Sequence, residues 1–238
     1  MNTPQYQWQT TARPTAAELD VGLRQHMLRV FNYMGLGLVV TGLVAYLVAN
    51  VPAIYGPIFG SGLRYVVMLA PLAFVFFLSF RIHAISSSTA QLVFWLFCGA
   101  MGLSMASIFL VFTQTSIART FMITAVMFGA MSLYGYTTKA DLSRFGSFLM
   151  MGLVGIIIAS IVNIFLGSTA LQFIVSVAGV LIFTGLTAWD TQRIKEEYAE
   201  HYDSESLNKM AVMGALSLYL NFINMFQLLL NLTGSREE

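Results

Sequence analysis

Long apolar runs separated by short polar breaks dominate the chain. A helix needs about 20 mainly apolar residues to cross a bilayer. Strands of a membrane β-barrel would instead alternate in polarity over segments of about ten residues, and this alternation is absent. The pattern therefore predicts an all-α polytopic membrane protein with seven transmembrane helices, at residues 27–50, 64–80, 86–112, 117–136, 145–166, 171–189 and 210–232.

Turn-forming residues mark the breaks between the predicted helices. Pro52, Pro57 and three glycines lie in the break at 50–62, and a charged break follows at 136–146. Residues 1–25 are rich in Thr, Gln, Ala and Pro, a composition typical of disorder. The predicted organisation is a disordered cytoplasmic tail at 1–25, a seven-helix membrane domain at 26–234 and a C-terminal tail at 235–238.

Composition supports the bilayer as the solvent of this chain. Hydrophobic residues make up 57% of it and charged residues 10%, whereas soluble domains average about 25% charged residues. The net charge of +1 says nothing about nucleic acid, and the lack of a basic run gives no support to nucleic-acid binding. Because Cys98 is the single cysteine, an internal disulfide is impossible.

The distribution of Lys and Arg predicts the orientation, because cytoplasmic loops of membrane proteins carry an excess of both. With the N-terminus in the cytoplasm, nine of the twelve basic residues lie inside: Arg13, Arg24, Arg29, Arg81, Lys139, Arg144, Arg193, Lys195 and Lys209. Three lie outside: Arg64, Arg119 and Arg236. With seven spans, this orientation places the C-terminus on the outer side.

A polar stripe interrupts the last apolar run, GALSLYLNFINMFQLLL at 214–230. Its members recur every three or four residues and so share one helix face. Amides facing lipid would leave donors and acceptors unpaired, so this face is predicted to look into the helix bundle. Two interpretations stay open, interhelical hydrogen bonding and a wet polar pathway. The stripe consists of Ser217, Asn221, Asn224, Gln227 and Asn231.

Asp190 follows the sixth apolar run directly, in GLTAWDTQRIK. It either ends that helix at the cytoplasmic interface or needs a partner, because a carboxylate in a span is costly when unpaired. Arg81 closes the second run on the same predicted side and could lie at the same depth. The three histidines, His26, His83 and His201, lack metal-ligand spacing and are predicted to be solvated loop residues.

Three segments resemble signature motifs of the Bax inhibitor motif family: FGAMSLYGYTTKADLS at 128–143, GLTAWDTQRIK at 185–195 and GALSLYLNFINMF at 214–226. They occur in family order, and the chain is similar to bacterial inner-membrane members. The resemblance implies seven transmembrane helices, with the last wrapped by the other six, and a pH-sensitive calcium leak.

The resemblance also implies a gating site. In the family, aspartates on helices six and seven share a hydrogen bond and sense pH, and an arginine at the end of helix two contacts them. By motif, Asp190 is the helix-six aspartate and Arg81 the helix-two arginine. Asn221 occupies the position of the second aspartate, which is a departure from the family pattern. Ser217, Asn224 and Gln227 would belong to the polar pathway.

The departure at Asn221 changes the expected mechanism. Two adjacent carboxylates cannot both ionise cheaply, so the pair titrates as a unit and can switch near physiological pH. An amide keeps the shape of a carboxylic acid but does not titrate. We therefore expect weaker or acid-shifted gating. Calcium is expected as the permeant ion with Asp190 as a weak, transient contact, because stable calcium sites use 6–8 oxygens; no cofactor is expected.

Other functions are weighed against this one. A membrane aspartyl protease needs two catalytic carboxylates, and this site offers one. The histidines lie near the polar ends of the spans, which disfavours a serine intramembrane protease, so an enzyme is not expected. The alternative is a non-conducting regulator that binds and modulates a membrane protease or other membrane complex, a function that the resemblance also allows.

Overall fold

The computed structural model describes residues 16–198 and 202–236 of the chain. Within these ranges the backbone forms helices joined by short connections. In chain order they are α1 (Ala16–Ala49), α2 (Pro52–Phe59), α3 (Leu63–Arg81), α4 (Ser87–Met105), α5 (Ile108–Val111), α6 (Gln114–Thr137), α7 (Ser143–Leu166), α8 (Thr169–Glu197) and α9 (Ser204–Thr233).

The predicted all-α fold with seven membrane spans is confirmed. Seven helical segments are long and apolar enough to cross a bilayer: α1, α3, α4 together with α5, α6, α7, α8 and α9. Large apolar side chains cover much of their outer surface, most completely on α7. Such a surface is compatible with lipid and not with water.

The structure adds a short helix within one predicted break and an interruption within one predicted span. The break at 50–62 contains the short helix α2, because Pro52 occupies a first-turn position where its missing N–H is not needed. The third span is interrupted after Met105, where a turn separates α4 from α5.

Polar residues extend several helices beyond their apolar runs. The helix α1 begins at Ala16, so residues 16–25 of the predicted tail are helical, and residues 1–15 lie outside the described ranges. The helix α8 continues to Glu197. Asp190 therefore lies two turns inside the helix. The interpretation that it ends the helix at the cytoplasmic interface is wrong.

The last helix is central, as predicted. The helix α9 packs against α8, α1, α6 and α4 and more lightly against α3. It is the most buried of the seven spans, whereas α7 packs on α8 and faces outward along most of its length. The polar stripe of α9 is thereby held inside the bundle.

Two glycines bring α6 and α7 close to α8 beside Asp190. A Cβ at Gly135 of α6 would clash with the backbone carbonyl of Ala188, and a Cβ at Gly146 of α7 would clash with the ring of Trp189. Small residues of this kind allow helices to approach closely in lipid. The segment of α8 that carries Asp190 is thus held between two neighbouring helices.

Candidate functional site

Asp190 lies where α8 packs on α9, and its side chain is hydrogen-bonded across that interface. Asp190 is 4% exposed and Asn221 is 5% exposed. The Asn221 Nδ2 donates to Asp190 Oδ2 over 2.7 Å, and the Ser217 Oγ donates to the same oxygen over 2.9 Å. Ser217 and Asn221 are four residues apart and so project from one face of α9.

Arg193 is the positive partner of this carboxylate. Its Nη2 lies 2.8 Å from Asp190 Oδ1, one turn along α8. The same Nη2 lies 3.3 Å from Ser217 Oγ, and the guanidinium lies 5.0 Å from the Trp189 ring centroid. The Arg193 side chain is 40% exposed. It therefore covers the carboxylate on the side that faces the polar end of the bundle.

Asp190, Arg193, Ser217 and Asn221 form what we call the carboxylate cluster. A buried charge is tolerated only when it is paired and hydrogen-bonded. Both Asp190 oxygens have such partners. Because a carboxylate only accepts hydrogen bonds, the NH₂ group of Asn221 faces it. Asn221 itself does not titrate, so this donor is present at any ordinary pH.

Arg81 is not part of the cluster. It lies exposed in the last turn of α3. Within residues 16–198 and 202–236, no hydrogen bond or ion pair involves its side chain. The helix α3 packs mainly on α4 and only lightly on α9. The contact that the resemblance implied for Arg81 is therefore not present, and Arg193 makes a contact of that kind instead.

The sequence contained one signal for Arg193 that our interpretation did not use. Residues three apart on a helix are neighbours, and Asp190 and Arg193 have this spacing. Arg81 was predicted as the partner instead, because it closes the second apolar run on the same predicted side and because the family resemblance implies an arginine there.

The rest of the polar stripe lines a cavity of about 500 Å³ between α3, α4, α5 and α9. Asn224, Gln227 and Asn231 all contribute to its wall. The Asn224 Nδ2 donates to the Leu220 carbonyl of its own helix over 2.8 Å, which leaves its carbonyl oxygen for other partners. We call this space the amide cavity.

A second cavity, of about 290 Å³, lies beside the carboxylate cluster. Arg193 and Ser217 line it on one side, and Val75 and Ser79 of α3 line it on the other. We call it the cluster cavity. Leu220 lines both cavities, so the two spaces follow each other along the groove between α3 and α9 and meet at this side chain.

The histidines differ in their exposure. His83 is exposed, as predicted. The prediction is wrong for His26, which is 3% exposed with its ring 5.4 Å from that of Tyr198. His26 is buried because α1 is helical from Ala16 onward and carries it into the bundle. His201 lies outside the described residues.

A permanent metal centre finds no support in the described part of the chain. No group of three or more His, Cys, Asp or Glu side chains is close enough there to hold an ion. A cation at Asp190 would compete with Arg193, Ser217 and Asn221 for the carboxylate oxygens. Its assignment as a transient calcium contact stays a prediction.

Seven membrane-spanning helices form the bundle, and the last of them has a polar face at its centre. An ion-paired carboxylate lies between α8 and α9. These features define a polytopic membrane protein with a buried polar site. The family model described as "Inhibitor of apoptosis-promoting Bax1" matches residues 23–238. This chain belongs to that family.

Bacterial relatives cover almost the whole chain. The inner membrane protein YbhL of Escherichia coli (strain K12) is 45% identical over 90% of this chain and 93% of its own length. An uncharacterized protein of Rickettsia prowazekii is 45% identical over 92% of this chain and 93% of its own length. An uncharacterized membrane protein of Streptococcus pyogenes serotype M3 is 32% identical over 92% of this chain and 96% of its own length.

Replacement of Arg193 by glutamine should lower the stability of the protein, whereas the same replacement at Arg81 should not. Arg193 neutralises a buried carboxylate, and Arg81 has no such contact. Because the Arg193 side chain is partly exposed, we expect a loss of about 1 kcal/mol. Thermal unfolding of the two purified variants in detergent measures the difference. Equal stability of Arg193→Gln and wild type, or a larger loss for Arg81→Gln, would contradict the assignment.

Proposed function

We propose that the protein is a pH-influenced cation leak of the bacterial inner membrane that carries calcium. The observation that supports this best is the pair of cavities between α3 and α9. They follow one another along the polar stripe of the central helix and share Leu220. A polar face that lines successive spaces is typical of a conduction pathway, because water and ions need such groups to cross a membrane.

The proposed orientation has the N-terminus in the cytoplasm. Of the twelve basic residues, nine then lie on the cytoplasmic side, in agreement with the distribution usual for membrane proteins. The cluster cavity would face the cytoplasm and the amide cavity the opposite side. The Escherichia coli relative is named as an inner membrane protein, which supports the inner membrane as the location.

The carboxylate cluster would influence gating, with Asp190 and Asn221 in place of the aspartate pair of the family. The amide contributes no titrating group, and Arg193 supplies a permanent positive partner to Asp190. Neither of these two partners gains or loses a proton over the ordinary pH range. We therefore propose gating that is weak, or shifted to acid pH.

Calcium would interact with the pathway only briefly. Asp190 is the single carboxylate of the cluster, and carbonyl oxygens of Asn224 and Gln227 can add neutral ligands further along the stripe. A weak, multi-site arrangement suits a permeant ion, since tight binding would slow its release. In this proposal calcium is the transported ion, and the protein acts without a cofactor and without enzymatic chemistry.

The second candidate is a non-conducting regulator that binds a membrane protease or another membrane complex. Its supporting observation is the amide at Asn221, which removes one titrating group from the site. Calcium flux into liposomes that contain an indicator and the purified protein separates the candidates. Flux above that of protein-free liposomes supports the leak. The absence of such flux, with a membrane protein co-purifying from native membranes, supports the regulator.

A further inference from the structure

A groove between α1 and α6 is separate from the cavities beside α3. Both helices pack on α9 but leave a space of about 470 Å³ between them. Apolar side chains line most of it: Met27, Leu28 and Phe31 from α1, and Phe128, Leu133 and Tyr136 from α6. We call this space the α1–α6 groove. It lies near the end of the bundle where α1 begins and α6 ends.

The α1–α6 groove has a cation at one end. Arg24 lines the groove in the first part of α1 and is exposed. In the described ranges its side chain makes no ion pair and no hydrogen bond. An unpaired guanidinium beside an apolar groove complements a molecule that has a negative head and an apolar tail.

The wall of the groove contains a second polar group without a partner. Ser132 lines the groove and is 5% exposed, and its Oγ has no hydrogen-bond partner in the described structure. Buried hydroxyl groups normally have one. Ser132 lies one turn of α6 before Tyr136, toward the middle of the membrane. An ester oxygen below a lipid phosphate is an acceptor of the required kind.

A glycine keeps the groove open. A Cβ placed on Gly129, which lines the groove, would meet no atom within 4 Å. The missing side chain is therefore not required by helix packing at this position. Its absence leaves room beside Phe128 for an occupant from the bilayer.

We propose that the α1–α6 groove is a binding site for one phospholipid with an anionic headgroup. The phosphate, whose charge no cationic headgroup offsets, pairs with Arg24. The Ser132 hydroxyl turns into the groove and donates to an ester oxygen, and an acyl chain lies over Gly129 between Phe31 and Phe128. Lipids that merely surround the protein would show no preference for a negative headgroup at this position. Lipid binding at this site does not depend on ion conduction, so the two proposals are tested separately.

Native mass spectrometry of the purified protein tests the site. Phosphatidylglycerol or phosphatidylcholine is added in defined amounts to delipidated protein in detergent, and bound lipid is counted for each variant. Arg24→Gln removes the cation, and Gly129→Leu fills the groove. Arg144→Gln is the control for charge, because Arg144 is exposed in the first turn of α7 and does not line the groove. Gly155→Leu is the control for size, because a Cβ at Gly155 also meets nothing within 4 Å.

We expect wild type to retain one phosphatidylglycerol in preference to phosphatidylcholine. Arg24→Gln and Gly129→Leu should each retain it about fivefold less, and the two controls should behave as wild type. Arg24 is exposed, so its variant remains informative if Gly129→Leu does not fold. Equal retention by Arg24→Gln and wild type, an equal loss in Arg144→Gln, or no preference between the two lipids would overturn the proposal.

Discussion

Replacement of Asn221 by aspartate should make the calcium leak steeply dependent on pH between about pH 5 and 8. In the wild type, the Asn221 Nδ2 donates to Asp190 Oδ2 over 2.7 Å. Two carboxylates at this separation must share a proton to keep the contact. On loss of that proton, two negative charges face each other in a buried site. The helices α8 and α9 are therefore held together at acid pH, where the proton is shared, and pushed apart at higher pH, where it is lost.

The measurement is calcium flux into indicator-loaded liposomes at a series of pH values. Asn221→Asp should change the flux about tenfold across the series, and wild type should change it about twofold or less. Asn208→Asp is the matched control. It adds the same charge to the same helix, but Asn208 bonds to Arg29 and not to Asp190, and it lines neither cavity. Steep gating of the wild type near neutral pH, with no increase in Asn221→Asp, would refute the explanation.

Replacement of Leu220 by serine should raise the calcium leak. Leu220 lines both the cluster cavity and the amide cavity, and it is the apolar side chain at which they meet. An apolar constriction excludes water and so opposes the passage of ions. A shorter, polar side chain would let the two spaces join. A barrier lowered by about 1.4 kcal/mol corresponds to about tenfold faster flux.

Two further variants make this test specific. Leu220→Trp should lower the flux, because a larger side chain fills the junction. Leu229→Ser is the control, since Leu229 is a half-buried leucine of the same helix that lines neither cavity. Similar flux in wild type and Leu220→Ser, or an equal rise in Leu229→Ser, would show that ions do not pass this point.

The sequence was sufficient to predict the spans and the central helix, for physical reasons. Seven apolar runs require seven helices in a bilayer, because backbone polar groups must be satisfied within each segment. Amides at helical spacing require a buried face, and α9 is the most buried span. The motifs also predicted the proximity of Asp190 and Asn221, which the structure places in direct contact.

Other features depend on helix packing that the sequence does not specify. Arg81 and Arg193 both lie near the predicted cytoplasmic side, and only the position of α3 relative to α8 decides which one reaches Asp190. The extension of α8 to Glu197 could not be recognised from hydrophobicity, because its last turns are polar. The burial of His26 and the two cavities that meet at Leu220 arise from side chains of several helices together.

The most direct test of the central claim is calcium flux through the wild-type protein alone. Purified protein is reconstituted into liposomes that contain a calcium indicator, and calcium is added outside at neutral and mildly acidic pH. The account predicts flux above that of protein-free liposomes, increasing with the amount of protein and changing little with pH. Flux equal to that of protein-free liposomes at every pH would contradict it and would favour the non-conducting regulator.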